Sequence, residues 1–127
     1  MRILGHGIDL VEVSRIAEML ERHPERFIER VFTKAEAAHG EGHKRRTEHL
    51  AARFAAKEAV LKALGTGWSS GVAWTDIEVV RLPTGQPTIK LSGRAAEIAL
   101  QQGVSDWRIS ITHTDSQAMA SVIAIGS

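Results

Sequence analysis

Residues 50–67 read LAARFAAKEAVLKALGTG and predict one long helix that ends in a glycine turn. Alanine and leucine dominate the stretch, no proline interrupts it, and Gly65 stands where a glycine commonly ends a helix. Counting in helical steps places four large apolar residues on one stripe: Leu50, Phe54, Leu61 and Leu64. We expect the helix to start near Thr47 and to pack this stripe against the core.

Glu58 and Lys62 lie four positions apart on this helix, so their side chains are expected to be neighbours beside the apolar stripe. An acid and a base just before a Gly-Thr-Gly turn suit a metal ligand and a phosphate-binding lysine. The alternative is an ordinary surface ion pair, which is common on helices and contributes about 0.3–0.5 kcal/mol. The spacing alone favours the surface pair.

The composition is that of one globular domain, which we expect to span residues 1–127. The chain has no cysteine, which excludes disulfides, thiolate zinc sites and cysteine nucleophiles and fits a reducing compartment. No apolar run approaches the ~20 residues that a membrane-spanning helix needs, and the N-terminus lacks a signal-sequence pattern. We therefore expect a cytoplasmic protein with no membrane partner.

The charge balance argues against a nucleic-acid partner. The net charge is +1, and aromatic residues make up 5% of the chain, which leaves few rings on which bases could stack. Lys44, Arg45 and Arg46 form a local basic loop, for which plain solvation is a sufficient explanation.

Shorter elements are predicted around the long helix. Strands are expected at 2–9, 77–82, 88–91, 107–112 and 118–125, with turns at 83–87 and 115–117. A helix at 14–22 should bury Val13, Ile16, Ala17 and Leu20, and a short segment carrying Phe27 and Val31 follows Pro24. Thr33 and Glu36 have capping-box spacing, and Ser92 should cap a helix that ends near Gly103. This order of elements predicts an α+β fold, in which a small, mostly antiparallel β-sheet packs on the long central helix.

Asp9 and His113 are further candidates for chemistry. Asp9 follows the first strand among apolar residues, where it is either an early helix N-cap or a functional carboxylate. With Glu58 it would offer the hard oxygen ligands that suit Mg²⁺, completed by water and substrate phosphate. His113 falls on the apolar side of its strand, where it is either a satisfied core histidine or, with Thr114, a phosphate donor.

A positively charged stripe is predicted on the exposed side of the first helix. Its members are Arg15, Met19 and Arg22, with Arg26 beyond the break at Pro24. A methionine flanked by arginines suits an acidic helical partner, and plain surface is the alternative.

Several motifs, taken together and in this order, resemble the holo-acyl-carrier-protein synthases, the small 4′-phosphopantetheinyl transferases. The matching segments are 7–10 with Arg15-Ile16, Phe32-Thr33 with Glu36, 53–59 with 62–67, and 110–114. The resemblance extends from Ile3 to Ile125, and the Arg-Phe-Ala-Ala-Lys-Glu-Ala segment at this distance from Gly-Ile-Asp is highly specific.

The resemblance implies transfer of phosphopantetheine from coenzyme A to a serine of acyl carrier protein, with release of adenosine 3′,5′-bisphosphate. It implies that Asp9 and Glu58 hold Mg²⁺ on the pyrophosphate and that Lys62 lies at the same phosphates, which makes these three the catalytic residues. Displacement at phosphorus needs charge neutralised on its oxygens, which a metal and a lysine can provide. The serine proton would pass to Glu58 directly or through a magnesium-bound water, and the sequence does not choose between them.

The resemblance also implies binding residues. Those expected along coenzyme A are Arg53, Lys62, Gly65, Thr66, Gly67, Gln86, Pro87, His113 and Thr114. The stripe of Arg15, Met19, Arg22 and Arg26 would meet the acidic carrier protein. The family forms homotrimers with active sites at subunit interfaces, and relatives roughly twice as long resemble two fused halves, so one half is expected to need other copies.

Two alternatives stay open within this interpretation. One is a transferase that serves a secondary-metabolite or polyketide carrier. The other is a non-catalytic nucleotide-binding subunit, against which the intact Asp9, Glu58 and Lys62 argue. Lys57 falls inside the apolar stripe and needs a partner or an exit to solvent, and the sequence identifies neither.

Overall fold

The computed structural model describes every residue from 1 to 127 and contains five α-helices and five β-strands. The helices are α1 (Val13–Arg22), α2 (Pro24–Val31), α3 (Lys34–Gly40), α4 (Arg46–Leu64) and α5 (Gly93–Gln102). The strands are β1 (Arg2–Glu12), β2 (Ile77–Arg81), β3 (Pro87–Leu91), β4 (Val104–His113) and β5 (Gln117–Gly126). Single 3₁₀ turns lie at Trp68–Ser70 and Trp74–Asp76. None of the helices combines the length and apolar character needed to cross a bilayer.

The central element is α4, and the predicted stripe on it is confirmed. Leu50, Phe54, Leu61 and Leu64 are all buried, as are the alanines between them. Alanine adds a single methyl group, so neighbouring elements can approach the helix from nearly every side. Gly65 ends the helix with a left-handed φ of 75°, as its position in the sequence predicts.

The main sheet has the antiparallel order β1-β5-β4, and its inner face packs on α4. Small buried residues of β5 face the helix: Ala118, Ala120, Val122 and Ala124. On β1, a Cβ at Gly5 or Gly7 would overlap the carbonyl oxygen of Ala63 or Ala59. The two glycines are therefore needed for β1 to lie directly on the backbone of α4.

β2 and β3 form a separate antiparallel hairpin, and α5 returns the chain from β3 to β4. Ser92 occupies the N-cap position of α5, but its side chain makes no capping hydrogen bond, which corrects the sequence expectation. The capping box of α3 is confirmed, because Thr33 and Glu36 bond to each other's main-chain N–H groups. The arrangement confirms the predicted α+β class.

Lys57 lies inside the core, and its partner is Glu36. Lys57 Nζ is 2.7 Å from Glu36 Oε1, and both side chains are fully buried. The ammonium also donates to two main-chain carbonyls around the start of β2. Glu36 accepts in turn from the N–H groups of Thr33 and Val79, each at 2.9 Å. The pair therefore joins α3, α4 and β2.

The first strand and the first helix differ from the sequence expectation. β1 continues to Glu12, so Asp9 lies within a strand and the N-cap interpretation is wrong. α1 begins at Val13 and buries Val13 and Ile16, but Ala17 is exposed. The segment after Pro24 is a regular helix, in which the proline occupies the first turn, where no N–H is required.

Candidate active site

Asp9, Glu58 and Lys62, here called the acid–lysine cluster, come together where β1 crosses α4. Alternation along β1 puts Asp9 on the same face as Gly7, which packs on the α4 backbone. Lys62 Nζ lies 3.1 Å from Asp9 Oδ1 and 3.0 Å from the main-chain oxygen of Ile8. Because Gly5 and Gly7 let β1 lie directly on α4, Asp9 of β1 comes next to Glu58 and Lys62 of α4.

Glu58 is half-buried in this cluster. Burial raises the pKa of its carboxyl above the ordinary value, and the negative charge of Asp9 raises it further. The indole N–H of Trp68, 3.5 Å from Glu58 Oε1, acts in the opposite direction, as does the charge of Lys62. The net effect is a carboxylate that accepts a proton more readily than a fully solvated one.

The cluster offers a cation two carboxylates. No group of three or more His, Cys, Asp or Glu side chains in the chain is arranged to hold a metal ion. A pair of carboxylates suits Mg²⁺, which usually keeps several waters and binds substrate phosphate as well. The Lys62 ammonium lies on Asp9 and would be free to bind a substrate phosphate once a cation takes its place. The residues therefore fit Mg²⁺ bound together with a phosphorylated substrate.

The turn at 65–67 leaves α4 next to this cluster. Gly65 and Gly67 have φ values of 75° and 62°, a region in which other residues are strained. Between them, the hydroxyl oxygen of Thr66 is buried and has no hydrogen-bond partner. The turn thus leaves a polar group that a ligand could satisfy.

A second set of predicted residues lines a cavity of about 360 Å³, here called the Arg53 cleft. Its polar lining includes His49, Arg53, Arg81, Gln86, Ser110 and His113, and Pro87 lies beside them. Arg53 is 5% exposed, its Nε has no partner, and its Nη1 lies 3.4 Å from the main-chain oxygen of His49. Burial lowers the pKa of the guanidinium, although the negative charge of Glu36 opposes this. A nearly buried arginine without a direct carboxylate partner makes this cleft suited to an anion.

His113 is exposed at the end of β4, so the interpretation as a satisfied core histidine is wrong. Its neighbour Thr114 lies outside the Arg53 cleft, in an adjoining groove with Leu10 and Met119, and His113 lines both. No member of the acid–lysine cluster lines the cleft either. One copy of the chain therefore divides the predicted coenzyme A residues between separate places.

A groove between α1 and α2, of about 250 Å³, contains three of the four predicted stripe residues. Arg15, Met19 and Arg26 line it together with Arg30, over an apolar floor that consists of Ile16, Phe27, Val31, Phe54 and Trp74. The Arg15 guanidinium lies 5.3 Å from the centre of the Phe54 ring. Arg22 is not part of the groove, and it pairs with Glu18 at 2.8 Å.

Sequence reasoning missed several residues at these places. His49 stands one helical turn before Arg53, a spacing that could have indicated a shared face. Arg81 comes from the β2–β3 hairpin and Trp68 from the 3₁₀ turn after α4, and no local pattern links either to its neighbours in space.

The family model of the 4′-phosphopantetheinyl transferase superfamily matches residues 5–120. The chain belongs to this superfamily. Among curated members, the holo-[acyl-carrier-protein] synthase of Solibacter usitatus is 50% identical over 95% of this chain and 97% of its own length. The synthase of Methylobacterium radiotolerans is also 50% identical, over 97% of this chain and 92% of its own length.

Solved structures of 4′-phosphopantetheinyl transferases share the fold of this chain. The holo-[acyl-carrier-protein] synthase of Neisseria meningitidis has a TM-score of 0.88 and 30% identity, covering 98% of this chain and 99% of that one. The synthase of Bacillus anthracis, in complex with CoA (3′,5′-ADP), has a TM-score of 0.81 and 38% identity, with 98% of both chains covered. The family and the fold predicted from sequence are confirmed.

Proposed function

We propose that this chain transfers the 4′-phosphopantetheine group of coenzyme A to a serine of acyl carrier protein, producing holo-carrier for fatty acid biosynthesis. The serine oxygen bonds to the phosphorus that carries pantetheine, the bond from that phosphorus to the bridging oxygen breaks, and adenosine 3′,5′-bisphosphate leaves. The observation that carries the proposal is the acid–lysine cluster, which occurs in a chain 50% identical over nearly its full length to proteins named holo-[acyl-carrier-protein] synthase.

Asp9 and Glu58 would hold Mg²⁺ for this reaction. When bound, Mg²⁺ supplies positive charge that neutralises the pyrophosphate oxygens. The pair of hard carboxylate ligands supports this role, and Lys62, which contacts Asp9, would move to the substrate phosphate when the cation binds.

Glu58 would also accept the proton of the serine hydroxyl. Burial and the charge of Asp9 raise the pKa of its carboxyl in the absence of a bound cation. The side chain of Lys62 is 54% exposed, so its ammonium can reach a substrate phosphate and balance the charge that builds on the leaving group.

Coenzyme A would bind along the turn at 65–67 and in the Arg53 cleft. The unpartnered Thr66 hydroxyl and the unpartnered Arg53 Nε both need a polar partner, and a phosphorylated ligand offers one. Gln86, Pro87 and His113 complete the cleft, and we include Thr114 in the site because it follows His113 directly.

The α1–α2 groove would receive the carrier protein. Its arginines attract an acidic surface, and its apolar floor can accept a side chain from a partner helix. Arg15, Met19 and Arg26 would make these contacts, with Arg22 a more distant contributor because of its pairing with Glu18.

We further propose that three copies assemble into a homotrimer with active sites between subunits. The outer face of the main sheet exposes large apolar side chains, with Ile8 51%, Leu10 56% and Met119 37% exposed. Leu10 and Met119 are cross-strand partners, so these side chains form a continuous patch of the kind that subunit interfaces cover. A neighbouring copy could also supply the part of the coenzyme A site that lies apart from the acid–lysine cluster.

We expect residues 1–127 to act as one domain, because their buried apolar residues form one core cluster. The absence of cysteine supports a cytoplasmic location.

The proposal is tested by incubating the protein with coenzyme A, Mg²⁺ and apo-acyl carrier protein and measuring the intact mass of the carrier. We expect the carrier to gain one phosphopantetheine group, and a carrier with its acceptor serine changed to alanine should gain none. Parallel incubation with apo forms of polyketide carrier proteins shows which of the two classes of carrier is modified faster. Binding of coenzyme A without a mass gain on any carrier would overturn the proposal and favour a non-catalytic nucleotide-binding subunit.

A further inference from the structure

Four of the six histidines lie close together in or beside the Arg53 cleft, and two of them, His49 and His113, line it. The four are His39 on α3, His43 in the following loop, His49 on α4 and His113 at the end of β4. The centre of the His49 ring lies 4.8 Å from the ring centre of His43, 6.2 Å from that of His39 and 6.4 Å from that of His113. His39 lines a smaller cavity that shares Arg53 and Arg81 with the cleft. We call these four residues the histidine cluster.

The charged groups around the histidine cluster are mostly positive. Arg53 from α4 and Arg81 from β2 both lie at the cleft. The nearby acids are already paired: Glu36 binds Lys57 at 2.7 Å, and Asp115 binds Arg45 of the loop at 3.2 Å. The charged groups that act on His49 and His39 are Arg53, Arg81 and the other histidines of this group, and no acid is among them.

This environment favours neutral imidazoles in the free protein. Burial lowers the pKa of His49 and of His39, and the positive charge of Arg53 lowers both further. An anion in the cleft would have the opposite effect, because its charge stabilises the imidazolium form. Each protonated ring would then offer the anion an additional charged N–H donor.

We propose that the histidine cluster and Arg53 form a proton-linked anion site, which binds a phosphomonoester dianion of coenzyme A together with at least one proton. The inference rests on the proposed function, since coenzyme A is taken as the ligand. It adds His39, His43 and His49 to the binding site and makes the affinity depend on pH. Ligands that carry a phosphomonoester should gain affinity as the pH falls from 8 to 6, whereas ligands with a free hydroxyl there should gain little.

The first test uses the wild-type protein and adenosine 3′,5′-bisphosphate as the probe. Nuclear magnetic resonance measures the pKa of every histidine with and without the bisphosphate. We expect the pKa of His39, His49 or both to rise by about one unit, a tenfold change in proton affinity. His6 and His23 lie outside the histidine cluster and serve as controls within the same spectrum. Saturating bisphosphate that leaves the cluster pKa values as unchanged as those of the controls would overturn the proposal.

The second test is calorimetry of bisphosphate binding in buffers that differ in ionisation enthalpy, which counts the protons taken up. The His39→Gln/His49→Gln double variant should take up fewer protons than the wild type and lose most of the affinity gain between pH 8 and 6. His23→Gln is the matched control and should behave like the wild type. Equal proton uptake by all three proteins would contradict the inference and leave the proposed transfer standing. Absence of bisphosphate binding at every pH would overturn both the inference and the coenzyme A site.

Discussion

At the scale of single residues, Asp9 and Glu58 are chemically alike but lie in different surroundings. Asp9 has a direct ammonium partner, since Lys62 Nζ is 3.1 Å from it. Glu58 is half-buried, and its nearest donor is the indole N–H of Trp68, at 3.5 Å. Two carboxylates in unlike surroundings can take unlike roles. This difference supports the proposal that Glu58 transfers the proton and that Asp9 anchors Lys62 and the cation.

Glu58→Gln should stabilise the protein in Mg²⁺-free buffer at neutral pH. The pKa of Glu58 is raised in the folded chain, so its ionisation weakens the fold as the pH rises through the folded value. The melting temperature of the variant should exceed that of the wild type by about 1–3 °C at pH 7. The gain should vanish below the ordinary carboxyl pKa of about 4.3. Glu21→Gln, at an exposed position of α1, is the control and should change little; an equal gain at all pH values would contradict the assignment.

Lys62→Ala should lower kcat more than it raises KM for coenzyme A. A lysine at the pyrophosphate matters most while charge builds on the leaving oxygen, so its loss should reduce kcat about 100-fold. Lys90→Ala, at an exposed position of β3, provides the comparison. Steady-state kinetics that show a higher KM with unchanged kcat would mean that Lys62 only helps to bind the substrate.

At the scale of elements, local pattern predicted α4 well because its composition, its apolar stripe and its terminal glycine all agree. The same reasoning could not find the partner of Lys57. Glu36 already has a local role in the capping box of α3, and its second role depends on how α3 packs against α4. A contact between distant segments produces no repeating pattern of residues, so a single sequence does not reveal it.

Lys57→Met should destabilise the fold by about 3–5 kcal/mol, because it leaves the Glu36 carboxylate buried without its cation. Denaturant unfolding of the Lys57→Met/Glu36→Gln double variant should show a smaller loss than the sum of the two single changes. Lys34→Met, at the exposed start of α3, should have almost no effect. Strictly additive losses would show that the buried pair is not coupled.

At the scale of the whole molecule, one copy of the chain presents an acid–lysine cluster, a basic cleft and a groove that do not form one continuous pocket. Sequence motifs predicted most of the residues at each place, but not this separation. They also placed Arg22 beside Arg15, whereas the groove contains the expected Arg26 and, in addition, Arg30, but not Arg22. The turn between α1 and α2 decides which arginines converge, and no helical period extends across it.

Charge reversal at the α1–α2 groove should weaken carrier binding alone. Arg15→Glu and Arg26→Glu should each raise KM for acyl carrier protein about tenfold, and Arg22→Glu should raise it less. The affinity for coenzyme A should not change. In the wild type the carrier KM should climb with salt, since the Debye length is ~10 Å at 0.1 M, and the Arg15→Glu/Arg26→Glu variant should respond less. Arg94→Glu on α5 is the control; equal effects at Arg94 and Arg15 would place docking elsewhere, with the loop at 44–46 the next candidate.

The acid–lysine cluster is tested most directly by the Mg²⁺-dependent rate of phosphopantetheine transfer to apo-acyl carrier protein in Asp9→Ala and Glu58→Ala. Each change removes a proposed metal ligand and no residue of the apolar core, so circular dichroism and thermal melting should show folded proteins. We expect both variants to lose transfer almost completely at a Mg²⁺ concentration that saturates the wild type. Near-normal turnover by either folded variant would contradict the assignment of the active site.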